Sequence, residues 1–392
     1  MSKTINILNS RISNNDDKST LTFDLKIGDN NHSLYFSVDK KYGEYLCGEI
    51  ADGVLTILLP FAVKNNYDIV SAIPVSEELL YNFNWHFLPQ VAVCNKIDIP
   101  QIKIETVKTD YKPFAVSTGI SCGVDSFTTL KEYTVECKYD DYKLTHLAFF
   151  ENGAHHLGIN GFSEEQKKCY EEQKEFVLKF CEQYNYEVVI VESNINEVLS
   201  KAFENDAFEH THTFRNIGIV LQMQKLFKIY YYSSAWNLDV FNVDITRSPA
   251  RYEKYLFSIL TTKNTRIYSS NKAMTRLEKT EYILDFEQSY DNLLVCYMGG
   301  HNCGKCGKCI RTMITLDMLG KLELYKNSFD VEYYKKNKPI ILSRIYAKKH
   351  FDPFMKELHK YAKSTGYKIP LFSKVLGMVL FVGLAIKRAL HI

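Results

Sequence analysis

The chain has 392 residues, 46% hydrophobic and 14% aromatic, which is enough apolar mass for two to three packed domains and too much for a disordered linker. Its 48 basic and 46 acidic residues leave a net charge of +2, with no long run of one sign. That balance argues against a dedicated nucleic-acid scaffold and leaves room for a small basic pocket.

Residues 1–112 show period-two patterning and read as a small α+β domain. Ser33–Asp39, Val54–Val63, Tyr67–Val75 and Gln101–Thr109 are expected strands, and Ser76–Leu88 an expected helix with Ser76 as its N-cap. Asp16–Lys18 and Asp29–His32 read as polar turns, and no catalytic constellation is evident.

From Lys112 onward strands and helices alternate. Phe114–Ser121, Leu144–Phe150, Tyr186–Ser193, Lys228–Ala235 and Thr265–Ser270 are five expected strands. Expected helices include Val124–Glu136 and Phe214–Phe227, and a long one opened by a Ser163/Gln166 capping box. This pattern predicts an α/β fold with a doubly wound, parallel five-stranded sheet over 113–322, whose ligands sit beyond the carboxyl ends of the strands. Residues 323–392 read as a C-terminal helical extension.

The first joint in this region, Ser121-Cys122-Gly123-Val124-Asp125-Ser126, lies between a buried strand and a helix. Backbone N–H groups there point outward without partners, near a positive dipole end, and suit phosphate. Gly123 admits close approach of an anion, and Ser121 and Ser126 add hydroxyls. Asp125 fits such a loop if it holds Mg²⁺ or orients a donor. Asp125 and Ser121 are expected at an exposed joint, needed for chemistry rather than for the fold.

SCGVDS resembles the Ser-Gly-Gly-x-Asp-Ser signature of the N-type ATP pyrophosphatases, the PP-loop family, with Cys122 in place of the first glycine. The resemblance covers about 115 to 320 and is nearest to the 7-cyano-7-deazaguanine synthases. It implies the PP-loop, adenine-nucleotide-hydrolase-like fold and binding of ATP and Mg²⁺, with Asp125, Ser121 and Ser126 catalytic. The nucleotide would contact residues Ser121 to Ser126, including Cys122, Gly123 and Val124. His155 and His156 in LAFFENGAHH, and Arg276 and Lys279 in MTRLEKTEYI, are further expected ATP contacts. Each of these four is also compatible with an ordinary solvated face.

The sharpest feature is Cys296-x6-Cys303-x2-Cys306-x2-Cys309. The other six cysteines are scattered, and Met1–Asp17 is polar with no apolar signal-peptide core, so a reducing cytosol is expected, where such a cluster means metal more often than disulfide. Gly304 and Gly307 allow knuckle turns, Lys305 and Lys308 offset thiolate charge, and His301 is a fallback ligand. Four thiolates fill a tetrahedron, so the expected ion is a structural Zn²⁺ in a knuckle over 296–309, with an iron–sulfur cluster as the rival. The deazaguanine synthases carry a similar late cluster followed by arginine, here Arg311.

Together these features predict a cytoplasmic ATP-dependent, adenylate-forming carbon–nitrogen ligase. It would release AMP and pyrophosphate while activating a carboxylate or amide, on a small molecule or a modified end, for attack by ammonia or an amine. Two alternatives stand beside it: a PP-loop enzyme that modifies tRNA or other nucleic acid, for which no strong signal exists, and a non-catalytic nucleotide-binding zinc scaffold. A homodimer is compatible with the sequence. Val375–Ile386 is a run of twelve uncharged apolar residues between Lys374 and Lys387-Arg388. It is too short to span a bilayer and reads as a helix docked on the body or on a protein partner, or as a peripheral membrane contact.

Overall fold

In the computed structural model, residues 3–154, 164–203, 208–236, 241–271 and 273–389 are described. His155, His156 and Ser163 fall outside them, and so do the two expected histidine contacts and the capping box. The chain forms two compact units: residues 1–121 with 132–273, and residues 122–131 with 274–392. This division differs from the expected 1–112, 113–322 and 323–392.

Alternation builds the start of the first unit. β2 (Lys18–Ile27) buries Leu21, Phe23, Leu25 and Ile27, every second residue, and pairs antiparallel with β1 (Thr4–Asn14) on one side and β3 (Asn30–Asp39) on the other. α1 (Asp52–Asn65) corrects the expected strand over Val54–Val63. Residues 52–63 are all buried, and a segment covered on every side shows no period that separates helix from strand. Gly53 of α1 and Gly218 of a later helix, α7, permit close approach: a Cβ on either would collide with the other's carbonyl. Asp52, fully buried, accepts bonds from Ser76 N and Oγ, both at 2.7 Å, and from Gln224 at 2.9 Å. Ser76 therefore spends its hydroxyl on Asp52 and makes no side-chain cap on the following helix.

β4 (Asp68–Ser76) leads into α2 (Glu77–Asn82), a π turn over Phe83–Phe87, α3 (Leu88–Asn95) and β5 (Ile102–Val107). β6 (Ala115–Gly119) precedes α4 (Val124–Lys131), and β7 (His146–Phe150) precedes α5 (Glu164–Gln183). β8 (Val188–Ser193), α6 (Ile195–Ala202), α7 (Phe208–Gln222), β9 (Phe227–Tyr232), α8 (Glu253–Leu260) and β10 (Arg266–Ser269) complete the first unit.

All ten strands form one sheet, ordered β10-β9-β6-β7-β8-β3-β2-β1-β4-β5. The expected five strands are the block β10 to β8, which is parallel throughout. The sheet does not stop there, because β8 pairs antiparallel with β3 through Phe36↔Ser193 and Ser37↔Glu192. Asn194 reinforces the seam by accepting from Tyr35 N at 2.9 Å, and Lys18 bonds Glu192 at 2.5 Å. Residues expected in two domains thus share one sheet and one apolar core, from Ile5 through Ile267. Within the parallel block the chain moves outward from β6 in both directions. The switch point lies between β6 and β9, where a doubly wound sheet leaves a crevice at the strand carboxyl ends.

The second unit is helical. With α4 it contains α9 (Arg276–Tyr282), α10 (Gly307–Met318), α11 (Val331–Lys348), α12 (Pro353–Thr365) and α13 (Leu371–Ala389). Thr275 and Glu278 close a capping box on α9, and Asp352 caps α12. The C-terminal apolar run lies within α13, which docks on α11: Gly377 is buried and a Cβ there would strike the Ser343 carbonyl. Among the described residues no helix is long and apolar enough to cross a membrane.

Candidate functional site

The first stretch of the first unit ends at Ser121, which is exposed, and the second unit begins at Cys122. Cys122 is fully buried with φ +54°, the left-handed region that favours glycine. Its carbonyl is fixed by Leu294 N at 2.8 Å. Past Gly123 the chain enters α4, whose first ladder bond runs from Phe127 N to the Gly123 carbonyl. The N–H groups of Val124, Asp125 and Ser126 lie ahead of that ladder. Ser126 is buried, and its hydroxyl donates to the Gly123 carbonyl at 3.0 Å. It steadies the turn.

Asp125 is the centre of a charge cluster. Its carboxylate accepts from Arg276 Nη2 at 2.6 Å on one oxygen and from Lys279 Nζ at 2.9 Å on the other. Helix spacing explains the pair: residues three apart on α9 share a face, and both turn toward α4. Lys279 is almost wholly buried, with 1% of its side chain exposed, and Asp125 retains only 20%. The expectation of an exposed aspartate that the fold does not need is therefore corrected. Burial alone would raise its pKa, but Arg276 and then Lys279 outweigh that and hold it below the ordinary value. Both carboxylate oxygens are engaged by cations, which does not fit the expected role as a Mg²⁺ ligand. Asp125 holds two cations of α9 instead.

Two more cations join from α10. Arg311 stacks its guanidinium 3.8 Å from the Phe354 ring centroid and lies near Arg276 and Asp125; burial, then the like charge of Arg276, presses its pKa down. Lys308, exposed at the rim, interacts with Arg276, Arg311 and Asp125. Asp352 and Glu357 also lie near Arg311, so four cations face three carboxylates, of which Asp125 is bonded to Arg276 and Lys279. Arg276 and Arg311 each bury an Nε that has no hydrogen-bond partner among the described residues. Buried donors of this kind need an explanation, and an anion supplies one.

The cysteine cluster orients α10. The Sγ atoms of Cys296, Cys303, Cys306 and Cys309 all lie within 4.8 Å of one another. Cys296 and Cys306 are 3.9 Å apart, and Cys303 and Cys309 4.0 Å. A tetrahedral Zn²⁺ with bonds of about 2.3 Å needs sulfurs about 3.8 Å apart, so the set fits zinc. Backbone N–H groups support the sulfurs: Met298 N on Cys296 at 3.4 Å, Cys306 N on Cys303 at 3.3 Å and Cys309 N on Cys306 at 3.4 Å. His301 is exposed and outside the group. Asn302 ties the loop together. It accepts from the N–H groups of Val295 and Cys296 and donates to the carbonyls of Leu293 and Ser328.

Asp125, Arg276 and Lys279, all singled out in the sequence, are brought together. Lys308 and Arg311 were legible there only as companions of the cysteines, and Asn302 carried no signal. The first unit holds a separate cavity of about 210 Å³, lined by residues that include Tyr35, Glu151, Ser193, Asn194 and Glu197. Burial pushes the Glu151 carboxyl up, and the acidic lining makes this cavity a poor phosphate site. No family model, curated protein or solved structure matches the chain.

Proposed function

We propose that this chain is an ATP-dependent, adenylate-forming ligase of the PP-loop kind, with strands β6 to β10 as its five-stranded core. The observation that carries the reading is the cluster of Arg276, Lys279, Lys308 and Arg311 around the carboxylate of Asp125. The four cations outnumber the carboxylates near them, Asp125, Asp352 and Glu357, and with two buried Nε donors unused among the described residues the cluster suits a polyphosphate. The left-handed turn at Cys122 supports it, because the signature it resembles has glycine at that position.

In this reading the β- and γ-phosphates lie against the cluster and the N–H groups that open α4. Ser121, Cys122, Gly123, Val124 and Ser126 form the loop, and Asp125 holds Arg276 and Lys279 in place. A carboxylate or amide oxygen of the substrate attacks the α-phosphorus, and the bond to the bridging oxygen breaks. Pyrophosphate departs with its growing negative charge met by cations already in position. Ammonia or an amine then attacks the adenylated carbon and displaces AMP. The four cysteines would hold Zn²⁺, which leaves no open position and fixes the start of α10. The chain would work at a cytosolic or peripheral membrane location.

Isothermal titration with pyrophosphate and with ATP, followed by product analysis over candidate carboxylates, tests this. Binding of both ligands and formation of AMP with pyrophosphate are expected. ADP and phosphate as products would overturn the adenylation chemistry, and failure of either ligand to bind would overturn the nucleotide site.

A further inference from the structure

Helix α13 has two unlike faces. One is packed on α11, where Ser373 is buried and Gly377 allows backbone contact. On the other, Leu371, Val375, Val379, Val382 and Ile386 are all exposed, Val379 by 65%. Their spacing of four, four, three and four residues draws one continuous apolar stripe along the helix. Nineteen residues extend about 28 Å, and an unpartnered stripe of that length on a protein surface marks something that covers it.

The charge around it selects the occupant. Residues 331–392 hold 13 of the chain's 48 basic residues and only three of its 46 acidic ones, Glu332, Asp352 and Glu357. A chain of net charge +2 therefore carries +10 in this segment. Some of that charge lies close to α13. The Phe381 ring sits 5.0 Å from the His350 ring and 6.0 Å from Phe351. His350 interacts with His359, which also feels Lys349 and Lys363, and Lys349 lies 3.5 Å from His359. A second copy would bring two net-positive segments together, which opposes self-association. An anionic lipid surface answers both features, because acyl chains take the stripe and headgroups take the cations.

We propose that α13 lies in the headgroup boundary of an anionic membrane, stripe inward, and holds the protein there as a peripheral component. This does not depend on the nucleotide reading. The test is flotation of the full-length protein with vesicles of equimolar phosphatidylcholine and phosphatidylglycerol, against vesicles of phosphatidylcholine alone. Binding to the anionic vesicles only is expected, with release in molar salt. V379E removes the apolar contact and should abolish flotation. K349Q/K363Q should weaken it about twentyfold, at roughly fivefold per charge near the surface. Both substitutions fall outside the cation cluster, so melting temperature and pyrophosphate affinity should stay native, which separates a failed helix from a failed nucleotide site. Equal binding to neutral vesicles, unchanged binding of a folded V379E protein, or a V379E-sensitive dimer that ignores lipid would each overturn the proposal.

Discussion

The two units treat buried charge in opposite ways. In the first, Arg215 is fully buried and bonded to the Thr211 hydroxyl at 2.9 Å, the Asn196 side chain at 3.1 Å and the Asn152 carbonyl at 3.3 Å. Asp52 is served by Ser76 and Gln224. Among the described residues, these contacts of Arg215 and Asp52 are hydrogen bonds to neutral groups. In the second unit Arg276, Lys279, Lys308 and Arg311 gather around Asp125, with Asp352 and Glu357 near Arg311, and among the described residues two of their nitrogens are left over. A buried charge satisfied by hydrogen bonds is a device of folding. A group of like charges opposes folding and persists where a ligand or a metal compensates.

The sharpest way to break this contrast is to remove the metal that the second unit can hold. We expect one Zn²⁺ per chain, and loss of one thiolate forfeits a large part of a binding energy on the order of 10 kcal/mol that is coupled to folding. Cys306→Ser should lower metal content and melting temperature together, and pyrophosphate affinity should fall as Lys308 and Arg311 lose their anchor. Both tryptophans, Trp85 and Trp236, lie in the first unit. Their fluorescence should report unfolding of the first unit close to the wild-type midpoint. A folded, metal-free purified protein would contradict the zinc assignment.

Next in size is the carboxylate itself. Asp125→Ala leaves Arg276 and Lys279 buried without a counter-charge, a change worth about 3 kcal/mol. Calorimetry should show the loss in phosphate-free buffer and its partial recovery on addition of pyrophosphate, which substitutes for the missing charge. The pH dependence has a definite sign. The folded pKa of Asp125 is depressed, so its contribution is complete above the ordinary value of 3.8. It disappears as pH falls further, through the folded value. An Asp125→Ala protein as stable as wild type, with no response to pyrophosphate, would reduce the cluster to a solvated surface.

How much of this was legible in the sequence depended on whether the signal was local. The cysteine spacing and the strand–helix joint are written in consecutive residues, and Arg276 and Lys279 share a helix face by spacing alone. The extension of the sheet was not legible, because pairing of Phe36 with Ser193 is decided by packing at a sequence separation that no window covers. Nor was α1, since burial of residues 52–63 on every side erases the period that distinguishes a helix. β2 did carry a signal in the strict alternation of Leu21, Phe23, Leu25 and Ile27. The concentration of positive charge after residue 330 was also countable, but it is cancelled in a whole-chain average.

A smaller effect tests the first unit on its own terms. His212 bonds the hydroxyls of Tyr232 and Ser248, each at 3.1 Å. Burial, followed by Arg215 and His210, pushes its pKa down to about 4. Between the ordinary value of 6.5 and that value the unfolded chain binds the extra proton. Stability is therefore complete above 6.5 and declines as pH falls through this range. Denaturant midpoints followed by tryptophan fluorescence should drop over this range. His212→Gln should flatten the curve, while metal content of the second unit stays constant. An unchanged slope in the variant would assign the pH response to other groups.

The smallest effect falls at the residue where the chain passes from one unit to the other. Cys122 holds φ +54° with its side chain fully buried, and a left-handed backbone costs a side chain about 1 kcal/mol that glycine avoids. Cys122→Gly gains that term and loses the packing of one small thiol, which is of similar size. The melting temperature should hardly move, and pyrophosphate affinity and turnover should be kept or improved, because the loop then matches the signature it resembles. Cys122→Ala separates the two terms: it keeps the strained backbone, loses the sulfur, and should be the less stable of the pair. If both variants fold normally and both lose turnover, the thiol itself takes part in the chemistry, and the division between a folding unit and a charged, ligand-seeking one would have to include a sulfur at their junction.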